Sequence, residues 1–178
     1  MSSFYFDIRK DALYCDDLNS KKRKDCIIVL NIILECLLKW FAPIFVFTTE
    51  EIFSLINKNS ISIHETLFPV IPQDWANDVL KKKWENLYRI KQEVNIAIEE
   101  KRTNKELGSS LEADILINVN ENEFNLLEEL DLEEYFITSC AKKIKDKNSE
   151  LKIVVKKASG TKCPRCWKIL EKKCLRCE

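Results

Sequence analysis

The sequence predicts a mainly α-helical fold, in which a helical bundle precedes a small α/β unit and a cysteine-rich C-terminal module. Only two glycines occur in 178 residues, whereas an all-β chain needs glycine for its many tight turns. Hydrophobic residues make up 46% of the chain, which is enough for a buried core. Four of the eight cysteines fall within residues 163–177, so the last segment differs in composition from the rest.

The first predicted helix covers residues 3–15, where apolar side chains recur on one face. A polar connection at 16–25 follows it. The Lys-Lys-Arg-Lys run at 21–24 in this connection indicates either a solvated surface or a contact with RNA. A second helix is predicted at about 25–42. It must end there because the residues before Pro43 are biased away from helical conformation.

The apolar stretch 27–47 is long enough to cross a membrane. However, Asn31, Glu35 and Lys39 recur every four residues and form one polar stripe, and Pro43 interrupts the run. Such a stripe is typical of a soluble helix with a broad buried face. We therefore predict no contact with a membrane.

A third helix is predicted to start at Thr48. Thr48 and Glu51 have the spacing of a capping box, in which each side chain bonds to the backbone of the other residue. Residues 57–74 contain two prolines and several turn-forming residues, so we expect a loop that crosses the bundle.

The fourth predicted helix is long and covers about 75–107. Asp74 is its candidate N-cap, and Gly108 is the residue expected to end it. Its apolar residues recur with a spacing near 3.5, as in a helix that packs along its whole length.

The hydrophobic pattern changes after this helix. Residues 113–119 alternate between apolar and polar, which predicts a strand, and 121–138 reads as helical. Two further strands are predicted at 137–144 and 151–157, and Gly160 is the expected hinge into the cysteine-rich end.

These elements suggest three domains. Residues 1–107 form the helical bundle, 108–158 form a small α/β junction, and 159–178 form the terminal module.

The terminal module contains two C-x2-C pairs, Cys163 with Cys166 and Cys174 with Cys177, separated by seven residues. A C-x2-C turn aims both sulfurs at one point, about 2.3 Å from a zinc ion, and two facing turns complete a tetrahedron. We predict one structural zinc ion, without an open position for catalysis. Two disulfides or an iron–sulfur cluster are the alternatives. The other four cysteines are scattered, which favours a reducing, cytoplasmic location over a disulfide framework.

The last twenty residues are also the most basic part of a chain whose formal net charge is zero. They hold six basic and two acidic side chains, a net charge of +4. This indicates contact with a polyanion or, alternatively, a solvated tail. Trp167 directly follows the first C-x2-C pair. Its ring either packs over the metal site or stacks on an unpaired base.

The sequence contains no motif of an enzyme active site. No phosphate-binding glycine-rich loop and no nucleophile elbow occurs. His64 is the sole histidine and lies in a loop without an evident partner, so we expect it to pack or hydrogen-bond at the surface. We therefore predict no catalytic residue in this chain.

Several segments together resemble the C-terminal part of bacterial isoleucyl-tRNA synthetases, which are class I aminoacyl-tRNA synthetases. The resemblance covers the chain and is carried, in order, by SSFYFDIRKDALYCD (2–16), LKWFAPIFVFTTEEIF (38–53), SIHETLFP (62–69), KRTNKELGSSLEADILI (101–117), VVKKASGTKCPRCWK (154–168) and CLRC (174–177). The GSSLEA segment and the CPRCW pair are the most specific parts. The gap of seven residues between the cysteine pairs departs from the family, where it is usually longer.

The resemblance implies an anticodon-binding bundle at 1–107 and zinc ligands at the four terminal cysteines. The implied partner is the isoleucine tRNA, whose anticodon stem-loop this region would hold while a distant catalytic domain joins isoleucine to it. The family's H-I-G-H and K-M-S-K-S signatures, and its editing domain, are absent from the sequence. ATP and Mg²⁺ would therefore be used only by the missing catalytic domain of the same polypeptide, which we expect to be a monomer.

The candidate RNA contacts are positively charged or aromatic residues near the C-terminus and at the end of the fourth helix. They are Arg165, Trp167, Lys168, Lys172, Lys173 and Arg176 in the terminal module, and Lys101, Arg102 and Lys105 in the second patch. Two other functions stay open on the sequence alone. One is a stand-alone module that binds nucleic acid, DNA included, and the other is a protein-interaction domain in which zinc is only a staple.

Overall fold

A computed structural model describes residues 2–58, 61–146 and 151–177. The described chain is mainly helical with two small sheets, so the predicted fold class is confirmed. It divides into two compact units. The first is discontinuous and contains residues 1–17 and 77–178, whereas the second contains residues 18–76. The predicted boundaries at 107/108 and 158/159 both fall inside the first unit.

The first unit begins with a helical turn of π-type winding, Ser2–Phe6, which continues into helix α1, Asp7–Tyr14. Its longest element is helix α4, Asp78–Thr103. Leu87, Ile90 and Val94 of α4 are fully buried. They pack against a three-stranded sheet, and each such side chain contributes about 1.5–3 kcal/mol of hydrophobic free energy.

The sheet has the strand order β2–β1–β3. Strand β1, Ala113–Val119, lies at the centre with a strictly alternating burial pattern, as its sequence predicts. It pairs in parallel with β2, Cys140–Lys145, and antiparallel with β3, Lys152–Lys157. The parallel pair requires a crossover connection. Two short helices, α5 (Glu121–Leu126) and α6 (Leu132–Phe136), provide it.

The terminal module follows Gly160 and contains a short antiparallel ribbon. Strand β4, Thr161–Lys162, pairs with β5, Ile169–Leu170. Gly160 has a φ of +126°, and a Cβ atom there would lie 2.2 Å from the carbonyl oxygen of Leu170. The ribbon can close only because this position has no side chain.

The second unit contains helix α2, Lys21–Phe41, and helix α3, Val46–Ile56. The break between them coincides with Pro43, as predicted. A connection with 3-10 turns at Ile63–Glu65 and Gln73–Trp75 follows α3, and residues 59 and 60 of the predicted loop lie outside the described residues.

This second unit has a small core and a large exposed apolar surface. Leu38, Ala42, Phe53 and Ile63 form its buried cluster. Large apolar side chains elsewhere in the unit stay in solvent, and the most exposed are Val70 (91%), Phe47 (89%), Leu67 (86%), Leu55 (77%) and Leu18 (72%). Exposed apolar side chains in such number are typical of a surface that takes part in an interaction. No described helix combines the length and the apolar character that crossing a bilayer requires.

Two predicted helix starts are wrong, and only the first of these helices has a side-chain cap at its true start. Helix α2 begins at Lys21, where the Ser20 hydroxyl accepts a hydrogen bond from the Arg23 backbone N–H at 3.4 Å. The basic run 21–24 is therefore the first turn of a helix and not part of a connection. Helix α3 begins two residues before Thr48, which lies inside the first turn and is not the N-cap.

Helix α4 also starts later than predicted. The Asn77 side-chain oxygen accepts from the Leu80 N–H at 2.9 Å and caps it, whereas Asp74 belongs to the preceding 3-10 turn. The single helix predicted at 121–138 is two helices, because Asp131 caps a second start by accepting from the Glu134 N–H.

The end of α4 shows why Gly108 is not its terminator. Lys105 takes the left-handed conformation with a φ of 60°. Its N–H donates to the Arg102 carbonyl, and the Glu106 N–H donates to the Lys101 carbonyl at 3.0 Å. This pair of bonds is a Schellman motif, in which glycine usually occupies the left-handed position. Because a lysine occupies that position, a prediction based on glycine cannot locate the true end of helix α4.

Candidate metal centre

Four thiols converge at the end of the first unit. The sulfur atoms of Cys163, Cys166, Cys174 and Cys177 all lie within 4.8 Å of one another, and those of Cys166 and Cys174 are 3.8 Å apart. A tetrahedron of metal–sulfur bonds of about 2.3 Å has an edge of about 3.8 Å. All eight cysteines lie in the described residues and none of them forms a disulfide, so the disulfide alternative finds no support. The four cysteines can hold a metal ion, and the donor set fits zinc.

Backbone hydrogen bonds shape the first cysteine turn. The Trp167 N–H donates to the Cys163 carbonyl at 3.0 Å, and the Cys163 N–H donates to the Lys168 carbonyl at 2.9 Å. The second turn is closed by the bond from the Cys177 N–H to the Cys174 carbonyl. Trp167 has a φ of 65°, which directs the chain back into the ribbon. These backbone bonds fix the geometry of each cysteine turn.

The environment of the thiols separates their acidities. Backbone N–H groups of Cys166 and Arg165 point at the Cys163 sulfur and lower the pKa of that thiol to about 6. Burial and the neighbouring thiols raise the pKa of Cys177, and burial raises that of Cys166. Cys163 therefore loses its proton more readily than Cys166 and Cys177, and an incoming metal ion must displace protons from those two thiols.

The terminal module docks onto the end of helix α1. The Arg176 Nε atom lies 2.5 Å from Asp16 Oδ1, and its Nη1 atom lies 3.3 Å from Asp11 Oδ2. Arg165 donates to the Tyr14 carbonyl at 2.8 Å. Cys15, which is 4% exposed, packs against Cys163 and Cys166.

A second set of contacts joins the module to the sheet and to α6. The Lys168 ammonium lies 3.3 Å from a carboxylate oxygen of Glu133, and the Ile169 N–H donates to the buried Ser139 hydroxyl at 2.6 Å. Ser139 in turn donates to the Leu111 carbonyl. The module is therefore held on two sides, by α1 and by the start of β2.

The structure sorts the candidate RNA contacts by accessibility. In the module, Trp167 is 59% exposed, and Lys172, Lys173 and Arg165 are also exposed. Lys168 is only 8% exposed, and Arg176 is half-buried in its ion pairs. No local pattern in the sequence indicates that these two side chains are engaged within the protein.

The second candidate patch lies at the end of α4. Lys101 pairs with Glu106 at 2.8 Å, and Arg102 pairs with Glu99 at 2.5 Å. Lys105 is exposed in its left-handed turn. The acidic neighbours reduce the positive potential of this patch relative to the terminal module.

Asp11, Cys15 and Asp16 also belong to the site, although their residue types and spacing do not predict it. They lie about 150 residues before the cysteine pairs, and no local motif marks them. His64 is exposed, and its Nε2 atom lies 3.3 Å from the Val46 carbonyl oxygen, as a surface histidine is expected to.

Comparisons with known proteins locate the chain among described families. Residues 1–117 match the family model of the anticodon-binding domain of tRNA ligase. The chain is 54% identical over 176 residues to an isoleucine–tRNA ligase of Pelagibacter ubique. This match covers 99% of the chain and 19% of the length of that ligase. It is 38% identical over 180 residues to the isoleucine–tRNA ligase of Agrobacterium fabrum. This match covers 95% of the chain and 19% of the length of that ligase. The chain thus spans about a fifth of the length of the curated relatives that it matches.

Proposed function

Because the chain belongs to the anticodon-binding domains of tRNA ligases, we propose that it binds the anticodon stem-loop of the isoleucine tRNA. In this role it positions the tRNA for ATP-dependent aminoacylation by a catalytic domain outside this chain. The observation that carries the proposal is the match of residues 1–117 to the family, together with relatives named isoleucine–tRNA ligase along the rest of the chain.

The proposed metal is one structural zinc ion held by Cys163, Cys166, Cys174 and Cys177. The sulfur separations support a closed tetrahedral site, which leaves no position for a catalytic water. Metal binding by four thiols supplies the folding free energy that a segment without a core of its own lacks.

We assign the candidate RNA contacts to two roles. Lys172, Lys173 and Arg165 are exposed and suit phosphate contacts, and the exposed ring of Trp167 suits stacking on an unpaired base. Lys168 and Arg176 instead hold the module in place through Glu133 and the end of α1. Lys101, Arg102 and Lys105 would add a weaker second patch, since two of them are already paired with carboxylates.

The exposed apolar surface of the second unit supports a function within a longer polypeptide. Phe47 and Val70 are about nine-tenths exposed, which is unfavourable for a surface that faces only water. We propose that other parts of the same ligase, its catalytic and editing domains, cover this surface. In the complete protein, ATP and Mg²⁺ would be used by the catalytic domain. We also propose that the complete protein is located in the cytoplasm and is a monomer.

The experiment that tests the proposal measures binding of the zinc-loaded chain to the isoleucine tRNA and to the same tRNA with its anticodon exchanged. We expect the exchange to weaken binding at least tenfold, because unpaired bases are read by specific hydrogen bonds and stacking. Equal affinity for both tRNAs would remove the anticodon-reading function. Competition with duplex DNA provides the control: if DNA displaces the tRNA at equal concentration, the chain is a general nucleic-acid-binding module.

A further inference from the structure

The three-stranded sheet of the first unit has two faces of different composition. The fully buried residues of β1, such as Ile115 and Ile117, point to the core that also contains α4. Because side chains alternate along a strand, the residues between them point to the opposite, outer face, together with their partners in β2 and β3. This outer face consists of Cys140, Lys142 and Ile144 of β2, Asp114, Leu116 and Asn118 of β1, and Lys152, Val154 and Lys156 of β3.

The outer face is open. Leu116 belongs to the central strand but is only half-buried, whereas Ile115 next to it is fully buried on the inner face. Ile144 is 48% exposed, and the three lysines of the outer face are exposed as well. The face is therefore an apolar centre with cations around it.

The lysines of the outer face differ from their neighbours on the strands in having no anionic partner. Lys145, which lies on the inner side of β2, pairs with Glu121 at 2.6 Å. Over the described residues, no ion pair involves any of the three outer lysines. Asp114 is the single carboxylate of the outer face, and it is hydrogen-bonded to the Cys140 thiol. The outer face thus has a positive potential that is not neutralised locally.

The three lysines are too far apart to bind one small anion. Lys142 lies on β2, and Lys152 and Lys156 lie on β3, with β1 between the two strands. Neighbouring strands are about 4.8 Å apart and a strand rises about 3.3 Å per residue, so the three backbone positions form a triangle with sides of about 12–13 Å. Each ammonium group would therefore meet a separate negative charge of a larger partner.

The composition of the outer face favours the backbone of a double-stranded nucleic acid as this partner. A double helix has about one phosphate per 1.7 Å of its axis, which supplies several charges to a flat surface. Lysine is a compact point charge that suits phosphate. None of the nine positions has an aromatic ring on which an unpaired base could stack.

From this arrangement we propose that the outer face of the sheet binds phosphates of a double-stranded part of the bound tRNA. The inference rests on the proposed function, because it names a further place where that tRNA is held. Phosphate contacts carry no sequence information, so this face adds affinity that does not depend on the anticodon.

The first experiment compares pairs of lysines that lie on opposite faces of the same two strands, in zinc-loaded protein. Lys142→Gln with Lys156→Gln removes two charges from the outer face, and Lys145→Gln with Lys157→Gln removes two from exposed positions of the inner side. We expect the outer variant to lose about fivefold or more in affinity for the isoleucine tRNA, and the inner variant less than about twofold. The slope of log affinity against log salt should become less steep by about 1.8 in the outer variant, since each duplex phosphate contact contributes about 0.9. Equal losses in the two variants would overturn the proposal.

A charge-conserving variant separates loss of charge from loss of structure. Lys142→Arg with Lys156→Arg should bind the tRNA within about twofold of the unaltered chain, because arginine also contacts phosphate. If this variant loses as much affinity as the glutamine variant, the effect is not electrostatic and the proposal is wrong.

The second experiment repeats the outer glutamine variant with the isoleucine tRNA whose anticodon has been exchanged. We expect the same fold-loss as with the unchanged tRNA. A loss confined to the tRNA with its own anticodon would contradict a backbone contact. Unchanged affinity for both tRNAs would also overturn the proposal and leave an acidic protein as the partner of this face, while anticodon discrimination by the unaltered chain would keep the proposed function. If the unaltered chain binds no tRNA, both fail.

Discussion

Replacing Arg176 with glutamine removes the ion pairs that hold the terminal module on helix α1. The Arg176 side chain is 26% exposed and that of Asp16 only 13%. An exposed ion pair contributes about 0.2–1 kcal/mol and a charged hydrogen bond in a buried site about 1.5–3 kcal/mol. For this partly buried arrangement, with a second and longer contact to Asp11, we expect a loss of about 2 kcal/mol.

This loss should appear in the affinity for zinc. If the metal-free module is unfolded, the docking free energy is gained only when the metal binds. A decrease of about 2 kcal/mol then raises the zinc dissociation constant about 30-fold, which competition with a chelating dye of known affinity can measure. Lys172→Gln is the matched control, because it removes one positive charge from an exposed position of the same module and should change the constant less than twofold.

A double-mutant cycle tests the pairing itself. Asp16→Asn alone should weaken zinc binding, and combining it with Arg176→Gln should add little, because both changes remove the same contact. Additive effects, or a loss below threefold for Arg176→Gln, would refute the idea that docking on α1 supports the metal centre.

Three further predictions concern backbone strain and a buried charge. Gly160→Ala should lower the free energy of unfolding of the first unit by about 2–3 kcal/mol in urea, because the new Cβ atom meets the Leu170 carbonyl. Gly108→Ala is the control and should change this free energy by less than about 1 kcal/mol, because only the end of the Glu112 side chain is near. Lys105→Gly should stabilise the protein by about 0.5–1 kcal/mol by relieving the left-handed lysine, and an unchanged or lower unfolding free energy would contradict this. Burial lowers the pKa of Lys91 from 10.5 to about 8. The unfolded chain therefore keeps the Lys91 proton to higher pH than the folded protein does. The free energy of unfolding of the wild type, relative to that of Lys91→Met, should then rise from pH 8 toward pH 10.5. If this difference in free energy does not change with pH, the pKa of Lys91 is not lowered in the fold.

The sequence was most informative where the structure depends on short-range spacing. The alternation at 113–119 is retained in strand β1, with every second residue buried. The two C-x2-C pairs predicted the cluster of four sulfurs, since each pair fixes its own geometry within one turn. Pro43 marked the break between α2 and α3 because a proline restricts the residue before it.

Helix ends were less predictable because several residues compete to cap them. Ser20 and Asn77 accept backbone N–H groups at the true starts, a few residues away from the predicted starts. At the end of α4, packing of the helix on the sheet fixes where the chain must turn, and Lys105 accepts a strained conformation there. Tertiary contacts thus decide between local alternatives of similar energy.

The docking of the module on α1 could not be predicted at all. Arg176 and Asp11 are separated by 165 positions, and a charged pair carries no signal in one sequence. For the same reason, Lys168 and Arg176 looked like solvent-facing cations, although the fold engages both within the protein.

The ion pair between Arg176 and α1 also sets an order of events during synthesis. A ribosome adds about 5–20 residues per second, so Asp11 is made roughly 8 to 30 seconds before Arg176. During that time Arg176, the partner of these carboxylates in the finished fold, has not yet been made. Attachment of the cysteine module therefore comes after α1 is made, and in a nascent chain stalled before residue 163 the Cys15 side chain should be accessible to solvent, whereas it is 4% exposed in the finished fold.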